Sequence, residues 1–394
     1  MSTYRFLTSN ILTGKILADT IPIVGQTASR MVNQVGSFQG YLPLVTSGQS
    51  SNMVNTWVSA VTPWKTVLWV LQDGHPVWNG MIIGWPHQSI VDGTLPISAA
   101  SMENIFKYRQ VDKALTYKNM DVFEIFRNEM QFALAKTPNG QVAGTGRYAN
   151  TSGIIDTVTK SGVVGSITLD AGFQAIYDCF NDLVTGYGLE YAFTPAMSDP
   201  VSFYTNVQLG LPQMGRPYSQ TGLQFRIPAK GAVDYAWQWV PGSPANKMVV
   251  SGSGSGTNPK SYIGIATAPS DLNAGYPLLE ANSSFFGTVA NQQQINTYAK
   301  NLLYSTTINK ALTPMFSIGG DAYPRVRDTQ LGDEVMLIAT SPLHPGTTGQ
   351  IGLTPTGPGM QILLRITGWT LTFPQPQQAE QIQWQLGGTK LGGI

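Results

Sequence analysis

The stretch from Thr66 to Gly84 constrains this chain more than any other. Two apolar runs, Val67-Leu68-Trp69-Val70-Leu71 and Val77-Trp78-Asn79-Gly80-Met81-Ile82-Ile83, flank Asp73-Gly74. Glycine adopts positive φ without steric cost, so Asp-Gly between apolar runs predicts a hairpin with a tight primed turn. A second Asp-Gly, Asp92-Gly93, separates His87-Gln88-Ser89-Ile90-Val91 from Thr94-Leu95-Pro96-Ile97-Ser98. Tyr4 to Leu7 and Lys15 to Ala18 read as further short strands. Hairpins this close together predict a curled antiparallel sheet over residues 1–111.

The pattern changes after that. Val122, Ile125, Phe126, Met130 and Ala133 form a helical stripe, with Asp121 and Glu124 placed for a capping box and Pro138-Asn139-Gly140 as the stop. Phe173, Ile176, Tyr177, Phe180, Leu183 and Val184 predict a second helix from about Asp170, ended by Gly186. A strand, Leu189 to Phe193, follows. Residues 112–220 therefore read as a small α+β unit.

From residue 221 the chain returns to β. Val233, Tyr235, Trp237 and Trp239 alternate, which places them on one strand face. Strands are expected at Met315–Ile318, Glu334–Ile338 and Ile362–Phe373, and a helix from about Gln292 to Tyr304. The Gln-rich stretch after Pro374 shows weak structure signals. The expected architecture is mainly β with an α+β insertion. Two tube-like β-barrel domains, 1–111 and 221–394, flank the α+β domain 112–220. No repeat of 20–50 residues marks a solenoid or propeller.

Composition narrows the function. Charged residues are 11% of the 394, against about 25% in ordinary soluble domains. Such a surface is polar but uncharged, or covered by other subunits. A net charge of +1 offers no basic excess for phosphate neutralisation, which argues against a nucleic-acid binder. The single cysteine, Cys179, excludes an internal disulfide framework and a cysteine-built zinc site. Tyr4, Arg5, Lys15 and Asp19 interrupt any signal-peptide pattern, and the apolar tract at 361–373 is short and contains Arg365, so no membrane span is expected.

Few residues are equipped for chemistry. Gly252-Ser253-Gly254-Ser255-Gly256 lacks the Gly-Lys-Ser/Thr of a phosphate loop, since Lys260 follows Pro259 and a strand, Tyr262 to Ile265, comes next. It reads as a strand connection. Asp178 and Asp182 lie one helical turn apart and, with Glu190, are the candidate acids of a hydrolase. Their simpler reading is a solvated helix face. His75, His87 and His344 show no metal or triad spacing, and Cys179 reads as a buried, inert thiol. Trp57, Trp64, Trp69, Trp78 and Trp85 crowd the first segment as core, subunit contact or stacking platform. No catalytic, cofactor or metal residue is assigned.

An ordered set of segments carries a family resemblance. These are Tyr4-Arg5-Phe6, Gly36-Ser37-Phe38-Gln39-Gly40-Tyr41-Leu42-Pro43-Leu44, Asp73 to Gly80, Leu95 to Ala100, Ala245 to Val250, Gly275 to Glu280, Leu331-Gly332-Asp333-Glu334-Val335 and Leu364-Arg365-Ile366-Thr367-Gly368-Trp369. In this order, over most of the chain, they resemble minor tail proteins of actinobacterial siphophages, of the tail-tip hub type.

The resemblance implies a structural virion protein, made in the host cytoplasm. It would be a homotrimeric hub joining the distal tail protein above to tip or fibre proteins below, with the tape measure protein as a further contact. It implies no enzyme activity and no cofactor, and the chain is expected to leave little room for a wall-cutting domain after Trp369. A tail-associated wall hydrolase and a receptor-binding module are the competing functions.

Overall fold

The computed structural model describes residues 2–44, 51–86, 93–134, 154–156, 160–169, 174–200, 202–227, 232–239, 245–253, 261–289, 291–306, 312–319, 323–339 and 360–388. Residues 1–111 supply β1 (Tyr4–Asn10), β2 (Ile16–Ala18), β3 (Val24–Met31), β4 (Ser37–Pro43), β5 (Thr66–Gln72), β6 (His75–Gly84) and β7 (Thr94–Ser101). The central segment supplies β8 (Leu115–Asp121), β9 (Ile154–Asp156), β10 (Val164–Leu169), β11 (Glu190–Asp199) and β12 (Ser202–Gly210). The remainder supplies β13 (Gln224–Ile227), β14 (Ala232–Trp239), β15 (Lys247–Ser253), β16 (Ser261–Thr267), β17 (Glu280–Thr288), β18 (Leu312–Gly319), β19 (Glu334–Ala339), β20 (Met360–Thr372) and β21 (Gln381–Gly388). The helices are α1 (Ser51–Ala60), α2 (Val122–Leu134), α3 (Ile176–Tyr187), α4 (Tyr218–Thr221), α5 (Pro269–Asn273) and α6 (Gln292–Thr306).

The predicted hairpin is β5–β6, antiparallel with Val70 opposite Trp78. Asp73 (φ 50) and Gly74 (φ 85) both have the positive φ that a primed turn needs. The Asp73 carboxylate accepts hydrogen bonds from Thr3 N at 2.8 Å, Arg325 Nη1 at 3.1 Å and Arg327 Nη1 at 2.9 Å. The turn thus ties the first strand to a segment some 250 residues later. Every residue of β5 is buried, because both of its faces are covered. That is why its apolar run does not alternate.

Hydrogen bonding links 13 strands into one sheet, in the order β14-β18-β21-β20-β3-β4-β7-β6-β5-β1-β2, with β19 beside β20 and β13 beside β19. The junction is β3–β20, where Gly368 faces Met31 and Thr372 faces Thr27. Strands of 1–111 and 221–394 are therefore two halves of a shared sheet. Among the described residues the pairing path is open and closes neither half into a barrel. Phe373 carries the junction into the core, its ring 5.6 Å from Phe6 and 5.9 Å from Phe38.

The stretch after Pro374, expected to be weakly structured, contains β21, which pairs with both β18 and β20. Ile382, Trp384 and Leu386 point inward and are buried. The intervening glutamines lower the mean hydropathy and mask this period-two pattern. Strand β7 pairs with β4 and β6; the strand expected at 87–91 lies outside the described residues. So do Phe173, the outer part of the Gly/Ser loop, and the side chains of Val233, Tyr235, Trp237 and Trp239, although β14 itself forms.

The central segment is α+β. Its helices pack on the outer face of the N-terminal strands, around a core that includes Val67, Trp69, Phe106, Phe126, Phe180, Tyr191 and Phe193. Phe126 and Phe180 stack at 4.1 Å between ring centroids. Asp121 caps α2 as expected, its Oδ1 accepting from Phe123 N at 2.9 Å, while Glu124 reaches Lys160 at 3.5 Å. Helix α3 ends at left-handed Gly188 (φ 75), whose N–H donates to Val184 O; Gly186, expected as the stop, is buried within the last turn.

Residues 245–303 contribute a separate layer that sequence patterning does not set apart. Strands β16-β15-β17 form their own sheet, and α6 packs on it around Met248, Val250, Ile295, Ala299 and Leu303. Asn301 Nδ2 donates to Thr185 O at 3.1 Å, linking α6 to α3. No helix among the described residues is long and apolar enough to cross a membrane.

Candidate functional site

The candidate acids sit in different surroundings. Asp178 and Asp182 are exposed on α3, and Asp182 accepts from Gln174 Nε2 at 2.6 Å. Glu190 is buried and bound to Arg365, with Nη1 to Oε1 at 3.1 Å and Nη2 to Oε2 at 2.5 Å. A carboxylate held bidentate by a guanidinium is structural, since neither oxygen is free to accept a proton from a substrate. Cys179 is fully buried and burial pushes its thiol up, which suits an inert core thiol. His75 is exposed at the start of β6; His87 and His344 lie outside the described residues.

The Glu190–Arg365 pair is the centre of a joint between the central segment and the C-terminal strands. Met214 N donates to Glu190 at 2.9 Å and Met214 O accepts from Arg365 at 3.3 Å. Two residues on, Arg216 pairs with buried Asp333 at 2.6 Å, and that carboxylate holds the guanidinium charged. A Cβ on Gly215 (φ +94) would lie 2.0 Å from the carbonyl carbon of Gly332 (φ +90), so the two loops meet backbone to backbone. The segments 331–335 and 364–369 are neighbours here, with Gly332 N donating to Ile366 O at 2.7 Å. Spacing alone does not reveal this joint; an arginine inside the apolar run 361–373 was its one visible signal.

A second buried cation lies nearby. The Arg30 guanidinium donates to Phe193 O, and Glu103 accepts from Phe193 N at 3.1 Å. Burial lowers Arg30 to about 10, against the attraction of Glu103, and the same burial raises Glu103. Charged side chains here satisfy the outer edge of β11, which no other strand among the described residues pairs.

The tryptophans divide. Trp69 and Trp78 are core, and their indole N–H groups donate to Ser9 Oγ at 2.9 Å and Ser29 O at 3.1 Å. Trp57 and Trp85 pack partly buried against the main core. Trp64 is 47% exposed and meets Tyr108 edge to face at 4.9 Å. Ile263 and Ile265 are more than half exposed on β16, on the face away from α6, where Gly264 lets Ile295 approach. Among the described residues no three His, Cys, Asp or Glu side chains could hold a metal ion. The site is therefore made of joints and apolar surfaces.

Solved structures that share this architecture include tail proteins. The tail protein from Neisseria meningitidis MC58 superposes with a TM-score of 0.57 at 13% identity, over 98% of this chain and 96% of that one. The 43 kDa tail protein of prophage MuSo2 from Shewanella oneidensis gives 0.57 at 9% identity, over 98% of both chains. This chain has the phage tail protein fold. Prophage tail protein gp18 from Listeria monocytogenes EGD-e agrees, with 0.54 at 12% identity over 97% of this chain and 94% of that one. The sequence itself matches no protein-family model and no curated protein.

Proposed function

We propose that this chain is a structural protein of a phage tail, and within it the central hub of the tail tip. The observation that carries the reading is end-to-end correspondence with three tail proteins, across nearly the full length of each chain. The siphophage-type resemblance of the sequence supplies the tip position. In this reading the two halves of the 13-stranded sheet, either side of β3–β20, are the two tube-forming units. The domains 1–111 and 221–394 are those halves, and 112–220 is the outer α+β unit. Three copies close into a ring around the tail axis by a repeated heterologous contact. The distal tail protein lies above, and tip or fibre proteins and the tape measure protein contact the ring. The protein acts by assembly, without catalysis or cofactor, as part of the virion. The buried, arginine-bound state of Glu190 favours this over a wall hydrolase.

Cryo-electron microscopy of the particle tests it. Three copies around the axis near the tip are expected. Six copies, or an off-axis position, would overturn the hub assignment and point to a ring or fibre protein. Wall hydrolysis on a zymogram that disappears in an Asp178→Asn, Asp182→Asn double variant would overturn the non-enzymatic reading.

A further inference from the structure

A pocket of about 490 Å³ opens beside the Trp64–Tyr108 pair, lined by Ile11, Leu12, Trp64, Met81, Ile105, Tyr108 and Arg109. Two features set it apart. Arg109 is half-buried in this apolar setting and has no carboxylate partner among the described residues. Burial lowers it, and among the described residues no neighbouring charge offsets that shift. A guanidinium half withdrawn from water without a counter-charge gains from an anion that completes it.

The second feature is Trp64 itself. Its φ is 63, a left-handed conformation that bulky residues avoid. The backbone is held there by Trp64 N donating to Ile82 O at 2.7 Å. The result is a large aromatic ring kept at the pocket rim and nearly half exposed. Strain that serves no core contact points to a ligand. Concave apolar walls, aromatic rims and a single arginine are the chemistry of protein anchor sites, where one apolar side chain is inserted and one charge is matched.

We propose that this pocket is a docking site for a peptide segment of a neighbouring protein that presents an aliphatic or aromatic side chain beside a carboxylate. The apolar side chain enters between Met81, Ile105 and Ile11. The carboxylate accepts from the Arg109 guanidinium, and the Trp64 and Tyr108 rings close over the segment. This does not depend on where the protein sits in the tail.

The test uses a random dodecapeptide display library on the purified full-length protein. Selection on wild type should enrich an acidic residue next to Leu, Ile or Phe. For a synthesised winner, Arg109→Gln should weaken binding by about tenfold, the scale of one charge-assisted hydrogen bond. The same change should leave the Asp→Asn version of that peptide unaffected. Trp64→Gly, which relieves the backbone, should lose the peptide while melting no lower than wild type. An acid preference that survives Arg109→Gln, or no enrichment at all, would overturn the proposal. So would a marked loss of stability in Trp64→Gly, which would make that residue a fold determinant. Decanoate binding more tightly than any peptide, with the same Arg109 dependence, would overturn it in favour of a small amphipathic anion.

Discussion

Arg365 on β20 presents both terminal guanidinium nitrogens to the two carboxylate oxygens of Glu190 on β11, and each side chain is at most 6% exposed. The pair bridges the central α+β segment and the C-terminal half of the sheet. Removing one member leaves the other charged, buried and unmatched. Arg365→Met or Glu190→Gln should each lower stability by about 3–5 kcal/mol in urea melts. A loss below about 1 kcal/mol, the range of a surface pair, would mean that water reaches the joint.

Phe180 is fully buried and stacks on Phe126, with Phe106 and Tyr191 at its edges. Phe180→Ala removes a ring from the middle of that cluster. The expected loss is about 3–5 kcal/mol, read from denaturant midpoints at unchanged slope. A changed slope would show instead that the helices pack loosely once the stack is gone.

Gly74 stands at φ +85 with nothing within 4 Å of where a Cβ would be. The cost of Gly74→Val is therefore conformational and involves no clash. A loss of about 1–3 kcal/mol is expected for a β-branched residue forced into this region. Gly74→Asn should recover much of it, because asparagine tolerates left-handed backbone. Equal stability of the Val and Asn variants in thermal melts would refute the primed turn.

Glu129 lies on the apolar face of α2, fully buried, and neither carboxylate oxygen has a hydrogen-bond partner among the described residues. Burial, and then the nearby Asp182, push its carboxyl well above the usual range. The folded state therefore holds this proton more tightly than the unfolded chain. Its contribution is complete below the unfolded value of about 4.3 and is lost as pH rises through the folded value, by at most about 1.4 kcal/mol per pH unit. Glu129→Gln does not titrate, so its stability relative to wild type should climb steadily from pH 4 to pH 7. Urea melts across that range would show a constant difference if Glu129 titrates normally.

The legible parts of this fold are those encoded within a few residues. Val67–Leu71, Asp73-Gly74 and Val77–Ile83 declare a hairpin because run length and turn chemistry are local. The stripes of α2, α3 and α6 declare helices for the same reason. What was hidden depends on residues far apart in the chain. Nothing near Thr27 announces Thr372 as its partner across β3–β20, and nothing near Glu190 announces Arg365. Strand β21 was obscured because glutamines fill its outward positions, and the 245–303 layer because its strands have ordinary composition. Among the aromatic residues, local pattern could not separate Trp69, with a bonded indole in the core, from Trp64 at a pocket rim. That distinction rests on φ and exposure, which spacing does not carry.

The β3–β20 junction also sets an order of events during synthesis. Strand β3 and the cavity that receives Phe373 leave the ribosome early, while β20 follows some 340 residues later. At typical elongation rates that interval is about 20–70 s. Through it the nascent chain carries an open strand edge and an unfilled apolar hollow, both prone to mispairing with other chains. A truncated product never closes that edge. Completion of the C-terminal strands thus acts as a licence, so that only chains that carry β20 and β21 present finished surfaces.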